Sequence, residues 1–330
     1  MRHAYLIMAH DQPGQLARLV SAIHCDWTKI YIHIDSKSDL RPFENAIGSR
    51  SGVHFLTHRV KANWMGFSLV DAMLKLLVKA DSDGFDYCTL LSGADYPIKS
   101  NGYLRSFFES AQKEYIAFWR LEDRPDWLRK VQYYYFTDHV PIRAWIENKE
   151  PGYWRRLFWG RYFKYQKYMP KRKMPLGLQP FGGPDWWSLS GECVRDILKY
   201  IEENPGLIRF FRYTSSPGEL FFQTLILNSA WCDKVENYSN YIEWSNNRSK
   251  SSNPGSCKML ADESFNYRYV DWSGEISGER EMPAILDMRD FKKIMATNAL
   301  FARKVHPLRS AELLDTIDRE IRKDDKPYVS

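Results

Sequence analysis

The 330-residue sequence predicts an α/β protein built on a mostly parallel sheet flanked by helices. Three observations carry that prediction. Short apolar runs of strand length alternate with amphipathic stretches of helical period through residues 1–118. The runs are apolar at almost every position, as strands covered on both faces must be. Several stop directly on a polar or acidic residue, where the carboxyl end of a strand meets a loop.

Taken in order, Tyr5 to Ala9 is the first buried strand. A helix from Pro13 to His24 follows, with proline in the first turn, where its missing N–H costs nothing. Ile30 to Ile34 is the second strand and ends at Asp35; Val53 to Leu56 is the third and leads to a helix from Phe67 to Ala80. Tyr87 to Leu91 is the fourth, closed by Ser92-Gly93-Ala94-Asp95-Tyr96-Pro97. Ligands of such sheets sit beyond the strand carboxyl ends, which points first to His10-Asp11, Asp35 and Asp95.

From Trp119 to Pro180 the alternation breaks. Tyr153 to Lys173 carries eight aromatic and eight basic residues and no acidic one, with Trp154, Phe158, Tyr162, Tyr165 and Met169 at roughly helical spacing. That pattern fits a helix laying its aromatic stripe on the core, and equally a surface for an anionic acceptor or lipid headgroups. Regular structure resumes with a strand at Trp186 to Leu189, a helix from Gly191 to Glu203, and a helix opened by Ser216-Pro217-Gly218-Glu219 that runs to Asn228. Asn246 to Asn266, rich in Ser and Asn, reads as a loop. Asp287 reads as the N-cap of a helix ending near Leu300, with Phe301-Ala302-Arg303-Lys304 directly after it. From Ser310 onward Leu313, Leu314, Ile317 and Ile321 share one face of a docking helix. Without an internal repeat or a clean linker, one composite domain over 1–330 is expected, in segments 1–118, 119–180 and 181–330.

Composition narrows the function. Aromatic residues make up 15% of the chain, including 12 Trp and 20 Tyr, side chains that suit sugar rings and bases as well as protein cores. The net charge of +6 fits a nucleotide, an acidic glycan or a membrane surface, and is too small to single out nucleic acid. Five widely spaced cysteines, Cys25, Cys88, Cys193, Cys232 and Cys257, argue against a disulfide framework or zinc site and fit a reducing compartment. The apolar run Ala4 to Ala9 is too short for a signal peptide or membrane span, so a soluble protein, at most peripheral to a membrane, is expected. No Walker A loop, Gly-x-Gly-x-x-Gly, His-Glu-x-x-His or Gly-x-Ser-x-Gly occurs, which removes support for the enzymes those motifs mark.

What remains are carboxylates and cations beside turns. Glu219 falls at a predicted helix start, where the helix dipole favours the ionised form and Leu220, Phe221 and Phe222 restrict water. Such a carboxylate is suited to take a proton from an attacking hydroxyl, though a plain first-turn glutamate looks the same. Arg303 and Lys304 can complement the end of the predicted helix or neutralise a pyrophosphate leaving group.

Seven segments, in order, resemble the core-2/I-branching β-1,6-N-acetylglucosaminyltransferases and the related peptide O-xylosyltransferases. They are Ala4–His10, Tyr31–Ser38, Leu91–Lys99, Phe181–Trp187, Ser216–Thr224, Val270–Trp272 and Ala299–Lys304, and together they extend over about the whole chain. The resemblance implies a GT-A-like fold with a nucleotide-binding half at 1–118, an aromatic and basic insertion at 119–180, and an acceptor and catalytic half at 181–330. It implies inverting transfer of a sugar from a UDP-sugar donor, GlcNAc first and xylose next, to a hydroxyl of a glycan or lipid-linked glycan. Glu219 falls at the position of the catalytic base. Arg303 and Lys304 fall where the family holds the diphosphate with cations in place of a metal, and Asp35, with His10 nearby, falls on the family's nucleotide side. Asp185 with Trp186 matches the xylosyltransferase branch on the acceptor side, to which Asp95 and Trp272 are also assigned. The second basic phosphate contact of the branching enzymes has no clear counterpart, Arg280 being the nearest candidate.

Many GT-A enzymes bind a metal through Asp-x-Asp after a central strand. Here that strand leaves Asp95 alone, while Asp81-Ser82-Asp83 precedes it and reads as a turn with Gly84. No metal and no other cofactor are therefore expected. A reducing compartment without an anchor places the protein in the cytoplasm, with peripheral contact to the inner face of an anionic membrane in view. Two readings from other classes compete: a glycoside hydrolase using Asp185 and Glu219, and a non-catalytic binder of anionic glycan through the aromatic, basic stretch.

Overall fold

The computed structural model describes residues 1–139, 161, 165–241, 243, 266–272, 283–323 and 325. It begins with β1 (His3–Ala9), α1 (Pro13–Ile23), β2 (Thr28–Ile34), α2 (Arg41–Ile47), β3 (Val53–Phe55), α3 (Phe67–Asp83) and β4 (Tyr87–Ser92). Next come β5 (Asp95–Pro97), α4 (Asn101–Ser110), β6 (Tyr115–Ile116), β7 (Trp119–Arg120), α5 (Pro125–Gln132), β8 (Phe181–Gly182) and β9 (Trp187–Ser190). Two further strands follow, β10 (Arg268–Val270) and β11 (Phe301–Arg303).

The central sheet has the order β3-β2-β1-β4-β9-β6. β1 pairs in parallel with both β2 and β4, and β2 with β3, while β9 runs antiparallel to β4 and β6. The continuous apolar runs are explained by the two faces. Ala4 and Leu6 of β1 enter one core cluster with α3 and the helix Gly191–Glu203, whereas Tyr5, Ile7 and Ala9 enter another with α1, α2 and α4. Helix boundaries follow local chemistry. Pro13 opens α1, the Ser100 and Ser190 hydroxyls cap the helices that follow them, and Gly84 at φ 71° ends α3. Among the described residues no helix is long and apolar enough to cross a membrane.

A second sheet, β10-β11-β5, supports the carboxyl edge of the first. β11 lies between β10 (parallel) and β5 (antiparallel), with Arg303 opposite both Val270 and Asp95. The helix Ala311–Glu320 covers this sheet, packing Leu313, Leu314 and Ile317 with Tyr96, Tyr269 and Ala302. Asp318 receives Arg18 at 2.7 Å and the Tyr96 hydroxyl at 2.8 Å, which ties that helix to α1 and β5 together.

Four expectations need correction. Asp287 does cap, through a capping box with Asp290, but the segment is a 3-10 turn at Met288–Asp290 and a short helix at Phe291–Ala296 that ends at extended Thr297. Arg303 and Lys304 therefore do not follow a helix end. Phe301 is fully buried and pairs with Pro97, so the chain leaves helix early to add a strand. Asp81-Ser82-Asp83 is the last turn of α3, where Asp83 accepts from Tyr31 and Lys79 at the amino end of the sheet, away from Asp95. The strand expected from Trp186 starts at Trp187. Of the aromatic, basic stretch, Trp154, Phe158 and Tyr162 lie outside the described residues. Its final part is a 3-10 turn at Gln166–Tyr168 ending at extended Met169, because Pro170 disfavours helical geometry in the residue before it. Tyr165, Tyr168 and Met169 are exposed and do not enter the core.

Candidate active site

The carboxyl ends of β1, β2 and β4 and the edge of the second sheet meet at one place, and the sequence supplies charge there. At the β2 end Asp35 is buried, with Oδ1 accepting from the Lys37 amide at 2.9 Å and Oδ2 lying 3.3 Å from Lys37 Nζ. The Asp35 amide donates to the Ala9 carbonyl at 2.9 Å, and the Ser38 hydroxyl to the His10 carbonyl at 2.6 Å. These bonds fix the two strand ends together. The His10 imidazole itself is exposed, 3.7 Å from Asp11.

Gly93 joins this edge to Asp95. Its amide donates to the Met8 carbonyl at 2.9 Å, and a Cβ at 93 would lie 2.9 Å from the Ala9 Cβ, so only glycine allows this approach. Asp95 is fully buried. Oδ2 accepts from the Ser92 amide at 2.5 Å, and Oδ1 faces Arg303 Nε at 3.7 Å without hydrogen bonding. Arg303 also stacks on Trp186, its guanidinium carbon 4.2 Å from a ring centroid. Behind them Arg268 is buried against Phe301 and donates to the Leu90 carbonyl at 2.8 Å. Burial lowers the Arg268 pKa to about 10, the desolvation being only partly offset by Asp95. Asp95 is thus set between two arginines, with no second carboxylate in an Asp-x-Asp arrangement.

The opposite wall is a pair of interlocked loops. Glu219 ends a 3-10 turn, Pro217–Glu219, and precedes the short helix Phe221–Leu227 by two residues. It does not occupy the first helical turn as expected, because Leu220 departs from helical geometry at φ −136°. The Gly183 amide donates to the Glu219 carbonyl at 2.8 Å, and the Gln223 side chain donates to the Pro184 carbonyl at the same distance. A Cβ at 183 would lie 1.9 Å from the Ala117 carbonyl oxygen, and one at 218 would lie 2.3 Å from Asp185 Oδ1. Gly218 thus leaves room for Asp185 beside the Glu219 turn, and Gly183 lets its strand end pack on the Ala117 carbonyl. The charges of Asp185 and Glu219 interact: burial first, and then the Glu219 carboxylate, push the Asp185 pKa up to about 7 against the opposing pull of Arg303 and Lys130.

The structure brings together Asp95, Asp185, Trp186, Glu219 and Arg303. Trp272 is exposed just beyond β10, two residues past the strand partner of Arg303, and Lys304 is exposed at the end of β11. Arg280 and Cys257 lie outside the described residues; Cys25, Cys88, Cys193 and Cys232 are free thiols. Sequence reasoning missed Lys130, whose Nζ donates to Glu219 Oε2 at 2.5 Å. Trp127 and Lys130 lie three residues apart on one face of a helix opened by Pro125, but that spacing does not mark Glu219 as the partner.

The chain is similar to known xylosyltransferases. Xylosyltransferase 1 of Homo sapiens is 26% identical over 329 residues, covering 96% of this chain and 30% of that protein. Xylosyltransferase 2 of Homo sapiens is 24% identical with 96% and 33% covered, and xylosyltransferase 1 of Rattus norvegicus 25% with 96% and 35%. The chain thus spans about a third of the length of these relatives. The family described as Core-2/I-Branching enzyme matches residues 3–295. With nearly the whole chain inside that match, on a mixed α/β frame compatible with a GT-A-like fold, the protein belongs to the Core-2/I-Branching enzyme family of glycosyltransferases.

Proposed function

We propose that this protein transfers a sugar from a UDP-sugar to a hydroxyl of a glycan or lipid-linked glycan by a single inverting displacement that uses no metal. The observation that carries the proposal is the convergence of Glu219 and Asp185 on one wall with Arg303 on the other. Inverting transfer needs one carboxylate to take the acceptor proton and a positive group to receive the departing diphosphate. Glu219 has Oε2 engaged by Lys130, which leaves Oε1 to accept from the hydroxyl. Arg303, with Lys304 beside it, faces the leaving group, and Asp95 anchors Arg303 where an Asp-x-Asp enzyme would place a cation. Asp35 and His10 lie toward the nucleoside, Trp186 and Trp272 toward the acceptor. The names of the relatives and the Asp185-Trp186 pair favour xylose over GlcNAc as the donor sugar.

Release of UDP from a panel of UDP-sugars, measured with and without EDTA, tests the reaction. Turnover is expected to survive chelation; loss on chelation with rescue by manganese overturns the metal-free reading. Lys304→Ala is expected to weaken UDP binding and slow transfer by about 10²-fold. Glu219→Gln is expected to keep UDP affinity and lose about 10²- to 10⁴-fold in turnover. Asp185 is the rival base, since burial and the neighbouring Glu219 raise its pKa. A normal rate for Glu219→Gln beside an inactive Asp185→Asn exchanges the two roles. UDP binding also separates this reading from glycoside hydrolysis, which has no use for the nucleotide.

A further inference from the structure

We propose that Lys130 is a positioning residue for the transfer reaction: it clamps one oxygen of Glu219 and so aims the other at the acceptor. The inference rests on the reading of Glu219 as the base. Its physical support comes from how Lys130 is itself held. Lys130 lies in the last turn of α5, and its backbone carbonyl accepts from the Ser215 amide at 3.2 Å, at the start of the Glu219 loop. The same residue reaches that loop a second time with its side chain, at 2.5 Å from Glu219 Oε2. Nζ also sits 3.5 Å from the centroid of a Trp127 ring, a contact that fixes the ammonium laterally. Trp127 in turn packs edge-to-face on Trp119 at 4.6 Å, and a Cβ at Gly182 would lie 3.0 Å from it. A strand, a helix and a loop thus converge on a single ammonium.

The pair is only 21% and 33% exposed, so water competes weakly for either side chain. An unclamped glutamate on a 3-10 turn has three side-chain torsions to search, and a displacement of about 1 Å can cost ~10²-fold in rate. The charged groups around Glu219 are few. α5 contributes Lys130, the β8–β9 loop Asp185, and β11 contributes Arg303 beyond Asp185. At this point α3 presents Met73 and the helix after the turn presents Gln223, both uncharged. Among the described residues Lys130 and Arg303 are therefore the cations that balance two carboxylates, and of the two it is Lys130 that touches Glu219.

Lys130→Met, close in length and without charge, separates positioning from folding. Expected are kcat lower by about 10²-fold, a UDP dissociation constant within twofold of the parent, and recovery of most of the rate in Lys130→Arg. The acid limb of the kcat profile should move to higher pH, because removing a cation from beside two carboxylates leaves them harder to ionise. A readout independent of turnover is the carboxyl ¹³C titration of Asp185, assigned by difference with Asp185→Asn, whose midpoint should rise in Lys130→Met. A merely structural lysine would lower the melting temperature and leave kcat, measured where the variant is still folded, close to the parent's. Unmoved profiles in an enzyme that still depends on Glu219 overturn the role of Lys130 alone. A normal rate in Glu219→Gln removes the base reading, and the catalytic role of Lys130 with it.

Discussion

At the scale of single residues, the site carries a cost in stability that can be measured. A solvated aspartate titrates near 4, whereas Asp185 in the folded protein is held at about 7. Between those values the folded state keeps a proton that the unfolded chain has lost, so the contribution of Asp185 to stability declines as pH rises from about 4 to 7. Above that window its ionised form opposes folding fully. Asp185→Asn should therefore raise the melting temperature, and raise it more at pH 8 than at pH 5. An equal gain at both values would show that ionisation of Asp185 is not what the fold resists. Glu219 and Asp185 were visible in the sequence because each sits in a motif with glycine, proline or tryptophan neighbours, and Arg303 because it stands beside Lys304 after an apolar run. Lys130 was not, because nothing local marks a lysine as the partner of a glutamate 89 residues away.

At the scale of elements, periodicity placed α1, β1, β2 and β4 of residues 1–118, and the later helices Gly191–Glu203 and Ala311–Glu320, within a residue or a few of expectation. Each is long, or buried on both faces, so its pattern is unambiguous. Shorter elements such as α2, α4, α5 and the two-residue strands β6, β7 and β8 are set by tertiary pairing and leave little local signal. The segment after Asp287 shows the competing effects directly. Its capping box is real, but strand pairing by buried Phe301 outweighs the weak helical preference of Thr297 and Asn298. The Gly182-Gly183 strand end gives a sharper test. Gly183→Ala places a methyl where the Ala117 carbonyl stands, an overpacking expected to cost about 1–3 kcal/mol in urea unfolding. It should also impair turnover, since the Gly183 amide holds the Glu219 backbone. Full stability and activity in that variant would mean that the two loops are not coupled as described.

At the scale of the whole molecule, the fold class was legible because alternation of strand and helix leaves few arrangements. The three-stranded sheet under Arg303 was not, since it joins β5 and β11 across some two hundred residues of sequence. The basic excess is also a property of the whole chain. Exposed Tyr165, Tyr168 and Met169 stand close in sequence to Lys171 and Lys173, a composition suited to an anionic lipid surface. Flotation with anionic liposomes should recover the protein at low salt and lose it at high salt; no recovery at low salt leaves these side chains without a membrane role. The helix Ala311–Glu320 has a further consequence for how the protein comes into being. It bonds to α1 through residues 300 positions apart and braces the strand that carries Arg303. Synthesis is vectorial and slow, about 5–20 residues per second, so the first sheet can pair while this brace is still inside the ribosome. The wall that carries Arg303 is then the last part of the site to set, and a nascent chain holds Asp35 at the first sheet's edge before Arg303 is braced opposite it.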